Sequence, residues 1–211
     1  MPIGRFRPTN PDKPNLHRSI ALLATILPVA AYLAATALPA SAADLNVTSG
    51  TFIVTAPGNV PEDRVVVDNS ADDDATLQIN SGVTFSKDII VNNGGLLINE
   101  GLILRSGASN HGVTGDAGSG RVTNQAGGTI TSDETGILLT AEGTVLNTGS
   151  GTGINGDVGV EIQGAGSSLV NADGATIHGV TTGADIFGDI TNTGTGSKIS
   201  GGHTGARTQG G

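Results

Sequence analysis

Between Val122 and Gly205 the chain writes one pattern four times, and a repeat of this length admits few folds. The copies open on Val122-Thr-Asn124, Val145-Leu-Asn147, Leu169-Val-Asn171 and Ile190-Thr-Asn192. Each passes through a Gly-rich turn to an isoleucine (Ile130, Ile154, Ile177, Ile199) and closes on a glycine (Gly136, Gly159, Gly183, Gly205). The isoleucines step by 24, 23 and 22 residues, and the other two markers keep a similar spacing. Three markers holding one period of about 23 residues indicate a solenoid, whose copies bury their apolar faces against one another.

Each copy holds three short apolar patches separated by Asn, Gly, Thr and Ser. Patches of this length rich in Ile, Val and Leu suit strands, and the intervening glycines penalise a helix by about 1 kcal/mol each. Three strands and three turns per copy predict an all-β fold, a right-handed parallel β-helix with one coil per repeat. Coils then stack at the strand spacing of about 4.8 Å, so like side chains lie above one another. Such columns give a core to a chain with only 2% aromatic residues. The recurrent asparagines (Asn124, Asn147, Asn171, Asn192) are expected at corners, where Asn tolerates φ > 0 and its amide can bond to the Asn above and below.

Residues 1–43 read as an export signal. Arg5, Arg7, Lys13 and Arg18 precede an apolar run from Ile20 to Ala37, and Pro39-Ala-Ser-Ala-Ala43 supplies a cleavage motif, with cutting after Ala42 or Ala43. An uncleaved membrane anchor is the competing reading, since 18 apolar residues just reach the spanning threshold. From Asp44 onward there are 6 Lys and Arg against 18 Asp and Glu, a net charge of −12. That balance keeps the chain soluble and argues against nucleic acid, which needs clustered cations. Cysteine is absent, so an exported domain must hold by burial and backbone pairing alone.

Residues 44–76 are expected to form an N-terminal cap region, with strand-like runs at Thr51–Thr55 and Arg64–Asp68 around a Pro57-Gly58 turn. Asp72-Asp-Asp74 reads as a solvated acidic loop. β-Helix repeats occupy 77–211, looser at first, with asparagines at 80, 99 and 124 continuing the series backwards. Ser106 to Gly120, which contains His111, is expected to project as a loop. About six rungs follow from residue 77, a rod of roughly 25–30 Å. The last copy decays into Ala206-Arg-Thr-Gln-Gly-Gly211 with no polar cap, which reads as a truncated end open to end-to-end self-association.

The strongest catalytic candidates are Asp133 and Asp157, each three residues after its coil's isoleucine and so about 5 Å apart on adjacent rungs. Paired carboxylates can divide into an acid and a base for glycan cleavage. The row stops at Val180 and Gly202, and no aromatic platform or nearby cation accompanies it, so solvated turn aspartates are the preferred reading. His111, His178 and His203 fall out of phase and are not expected to share a face, as zinc would require. No nucleophile elbow, zinc motif, phosphate loop or calcium nonapeptide occurs. The expectation is therefore no enzyme, and no catalytic, cofactor-binding or metal residues.

The recurring Asn-x-Gly-x-Ile/Leu idiom, as in Asn99-Glu-Gly-Leu-Ile103 and Asn147-Thr-Gly, together with Gly128-Thr-Ile130 and Gly136-Ile, resembles the passenger region of bacterial autotransporters (type V secretion). The resemblance covers most of residues 44–205. It implies a β-helix displayed at the cell surface or released outside the cell, acting as an adhesin or stalk, with a host surface or glycan as partner. The family's outer-membrane barrel is missing: with Phe52, Phe85 and Phe187 as the only phenylalanines after residue 43, no run of barrel strands with aromatic girdles can be drawn. Contact with the outer membrane would come only through that barrel, and without it the periplasm is the expected location. A small carbohydrate-active β-helix, of lyase or hydrolase type, is the alternative function.

Overall fold

The computed structural model describes residues 44–56, 60, 62–71, 74–107 and 110–209; the export signal, the Pro57-Gly58 turn and most of the Asp72–Asp74 loop lie outside them. Among the described residues every element is a β-strand, from β1 (Leu45–Val47) to β17 (Thr204–Thr208), and every pairing is parallel. The strands stack as a β-solenoid of about seven turns, with coils about 23 residues apart.

Each coil contributes to three faces. Face 1 runs from β1 through β3 (Arg64–Asp68), β6 (Asp88–Asn92), β9 (Val113–Gly115) and β12 (Thr135–Leu139). Face 2 runs from β2 (Thr51–Val54) through β4 (Thr76–Ile79), β7 (Leu96–Asn99), β10 (Gly120–Asn124) and β13 (Gly143–Thr148). Face 3 holds β5 (Thr84–Phe85), β8 (Leu102–Arg105) and β11 (Thr129–Ser132). Above these, β14 (Gly153–Ala172) and β15 (Thr176–Thr193) each bend through all three faces, before β16 (Lys198–Gly201) on face 3 and β17 on face 1. The segment read as a cap, 44–76, carries the first rung: Leu45–Val47 pairs with Val65–Val67, and Thr51–Val54 with Thr76–Ile79.

Alternation along each strand, combined with this register, makes the core. On face 3 the inward residues stack as Phe85, Ile103, Ile130, Ile154, Ile177 and Ile199, and those from Ile103 to Ile177 have no exposed surface. Face 2 stacks Phe52, Leu77, Leu97, Val122, Val145, Leu169 and Ile190. Each fully buried Val, Leu or Ile contributes about 1.5–3 kcal/mol, so the columns supply what disulfides would otherwise provide.

Beside the face 2 column runs a second one that begins apolar and turns polar. Ile79 lies beneath Asn99, which lies beneath Asn124, Asn147, Asn171 and Asn192. Each amide nitrogen donates to the next asparagine's oxygen, at 2.8 Å from Asn99 to Asn124, 2.9 Å to Asn147, 2.7 Å to Asn171 and 2.8 Å to Asn192. Each also donates to a backbone carbonyl at the turn, as Asn124 does to Gly153 at 3.1 Å and Asn147 to Thr176 at 3.0 Å. Asn99, Asn124, Asn147 and Asn171 are wholly buried, so the ladder is what makes their burial tolerable. Asn80 does not belong to it; a one-residue slip puts Ile79 on the column, and Asn80 instead accepts from Gln78 at 3.1 Å.

The corner explanation for these asparagines is corrected as well. None of the ladder residues has positive φ; besides Asp74, that conformation falls on Asn93, Ala126 and Asp173, each followed by a glycine with positive φ in a tight turn closed by a backbone hydrogen bond. Ser106 to Gly120 is likewise not one projecting loop, because Val113–Gly115 forms β9 and pairs with both β6 and β12.

The recurrent glycines close the face 3 to face 1 corner. A methyl group on Gly159 would meet the Gly183 carbonyl and sit 2.7 Å from Ile177 Cγ2, and Gly136 repeats this against Gly159 and Ile154. The glycine column thus lets each rung's backbone press against the isoleucine column.

Two outcomes test this account. Gly159→Ala forces a methyl into that contact and is expected to cost about 1–3 kcal/mol in urea unfolding. Asn147→Asp keeps the shape, and its protonated form still donates to Asn171, whereas the buried anion cannot; its folded pKa is therefore raised. Relative to the parent, the variant loses roughly 2–4 kcal/mol at pH 7, and the deficit shrinks as pH falls toward about 4, where the unfolded carboxyl also protonates.

Candidate functional site

With the interior taken up by columns, chemistry is confined to the outside. Asp133 and Asp157 emerge at the face 3 to face 1 corner on neighbouring coils. The Asp133 carboxylate accepts the Gly107 backbone N–H at 2.7 Å, and the Asp157 carbonyl accepts the Thr181 hydroxyl at 3.0 Å. Both residues thus help bind the corner to adjacent coils. His178 lies on face 3 with Nδ1 3.2 Å from the Ser200 hydroxyl, His203 lies in the face 3 to face 1 corner of the next coil, and His111 lies three coils below His178. No three His, Asp or Glu side chains among the described residues are grouped to hold a metal ion.

The corner after Arg105 is the long one: eight positions carry the chain from Arg105 to Val113, where five carry it from Ser132 to Ile137 at the same register. Arg105 donates to the Ser86 carbonyl at 2.6 Å and to Asn110 at 3.2 Å, and pairs with Asp88. His111 Nε2 stands 3.8 Å from Glu134 Oε2. Beside them a groove of ≈ 190 Å³ is lined by Arg64, Asp88, Asn110, His111 and Thr114 over an Ile89-Ile90 floor. Arg105 Nε, His111 Nδ1, Ser132 Oγ and Glu134 Oε2 are shielded there without a hydrogen-bond partner in the protein.

A second groove, ≈ 280 Å³, lies on the outside of face 1 at the opposite end of the shaft. Register aligns Glu161 with Asp185 and Asp185 with Arg207, all pointing outward because Ile162 and Ile186 between them point in. Two residues after each come Gln163, Phe187 and Gln209. Arg207 Nε donates to Asp185 Oδ1 at 3.0 Å while Nη2 pairs with Oδ2, and Gln209 Nε2 donates to Oδ1 at 2.8 Å. Gln163 Nε2 donates to Glu161 Oε1 at 2.8 Å. The bonds from Arg207, with that from Gln209, hold the Asp185 carboxyl below the usual carboxylate range.

Sequence reasoning missed this second set. Outward residues do not repeat, so only the register brings Glu161, Asp185 and Arg207 together. The available signal was the pair of Asp-Ile and Glu-Ile dipeptides 24 residues apart, at Glu161-Ile162 and Asp185-Ile186.

No protein-family model matches the chain, and no curated protein or solved structure matches it.

A lowered Asp185 pKa fixes a sign. The carboxylate's contribution to stability is complete above the unfolded value of about 3.9 and is lost as pH falls through the lower folded value. Urea midpoints measured from pH 5 down to pH 2 are therefore expected to fall less steeply in Asp185→Asn than in the parent.

Proposed function

We propose that this chain is an exported β-helix passenger of the autotransporter type, standing at the cell surface as a shaft with an adhesive exterior. The observation that carries this reading is the continuous solenoid itself, with its aliphatic columns and five-membered asparagine ladder. A shaft held by internal ladders needs no disulfide, and this chain has no cysteine. It also leaves most outward positions free to vary, as a displayed recognition surface requires. The basic and apolar start of the chain supports export. Binding rather than catalysis is the reading we prefer for the exterior, and the Asp133 carboxylate is already engaged by the Gly107 backbone N–H.

Fractionation of native cells tests the proposal, using an antibody raised against residues 122–205. The expected result is a band in the outer-membrane or extracellular fraction that protease added to intact cells removes. Its mass would show whether the native product is longer than the 20.8 kDa of this chain. A band confined to the cytoplasm would refute export and display.

A further inference from the structure

We propose that the outside of face 1 over its last three strands binds a neutral pyranose of a glycan, stacked on Phe187 and held at its edges by Gln163, Gln209 and Arg207. The inference rests on the adhesive reading above and gives it a ligand class and a place.

The first observation is the ring. The chain is poor in aromatics, and Phe85 is spent in the core, whereas Phe187 lines an open groove and is half-buried. An aromatic face offers a platform for the apolar side of a sugar ring, and groups around it can bond to the hydroxyls.

Those surrounding groups are already fixed in place. Both glutamines spend Nε2 on a carboxylate, at 2.8 Å each, which leaves their amide oxygens to accept. Arg207 spends Nε and Nη2 on Asp185, its side chain is 58% exposed, and Nη1 is left to donate. Gln163 and Gln209 line the groove together with Phe187, and Arg207 adjoins it through Asp185, all held by existing hydrogen bonds rather than ordered on binding, which lowers the entropic cost.

Charge selects among ligands. Glu161 and Asp185 against Arg207 leave one net negative charge, which disfavours sialic and uronic acids. A free cation is equally ill served, since both Asp185 oxygens already accept bonds from Arg207. A neutral polyhydroxyl ligand with an apolar face fits what remains.

The test titrates the full-length protein with maltose, cellobiose and lactose, and with N-acetylneuraminic acid as the acidic comparison, following backbone amide shifts by NMR. At least one neutral sugar is expected to move the signals of 161–163, 185–187 and 207–209, and the acid to bind more weakly. Phe187→Ala should weaken that binding about threefold to tenfold with an unchanged circular dichroism spectrum. Gln163→Ala, an exposed position, gives a second variant should the first unfold. The proposal is overturned if none of the three sugars moves those signals, if the shifts lie elsewhere, or if both variants bind like the parent. A protein displayed on cells that fails this titration loses this site alone; one confined to the cytoplasm loses the display reading whatever the titration gives.

Discussion

Parallel stacking in register is the constraint on which everything else in this molecule depends. Each inward residue has one neighbour above and one below, so a residue is acceptable only if it matches the rung on either side. Aliphatic residues meet this by dispersion and burial, which is undemanding about identity: Val122, Val145, Leu169 and Ile190 follow one another in one column. A buried amide meets it only by repetition, because the donor of one asparagine needs the acceptor of the next. All the ladder bonds run the same way along the shaft, and aligned amides polarise one another.

The same constraint governs the backbone. Where the chain turns from face 3 to face 1 it passes against the carbonyl of the next coil, and glycine is the residue that leaves room there. Where the corner follows Arg105 the chain takes a longer path, and Arg105 reaches down to Ser86 and Asp88 to tie the rungs together. The shaft is thus uniform inside and changes its corners along its length.

Outside, nothing forces repetition. The outward column on face 1 passes from Val66 and Ile90 through Leu138 to Glu161, Asp185 and Arg207. Apolar and charged surfaces therefore occupy one face at different heights, and at one height an aromatic ring, Phe187, lines a groove with two glutamines. A solenoid separates its two requirements in this way: the interior specifies the fold, and the exterior carries whatever recognition the molecule has.

The division of labour decides what could be read from residues alone. The period, the strand character, the isoleucine column and the asparagine series from Asn99 to Asn192 were determined by sequence, because stacking forces those positions to recur and recurrence is visible in one chain. Asn80 was misplaced by one residue, since alternation makes neighbouring positions look alike while putting them on opposite sides of the strand. The glycine after each isoleucine was visible as a marker, but its reason, contact with the next coil's carbonyl, belongs to the closed coil. The groove at Phe187 was decided by tertiary structure alone. Register shifts between Gly156 and Val158 and between Ile162 and Ser167 defeat counting along the chain, and residues two dozen positions apart become neighbours only when rungs stack.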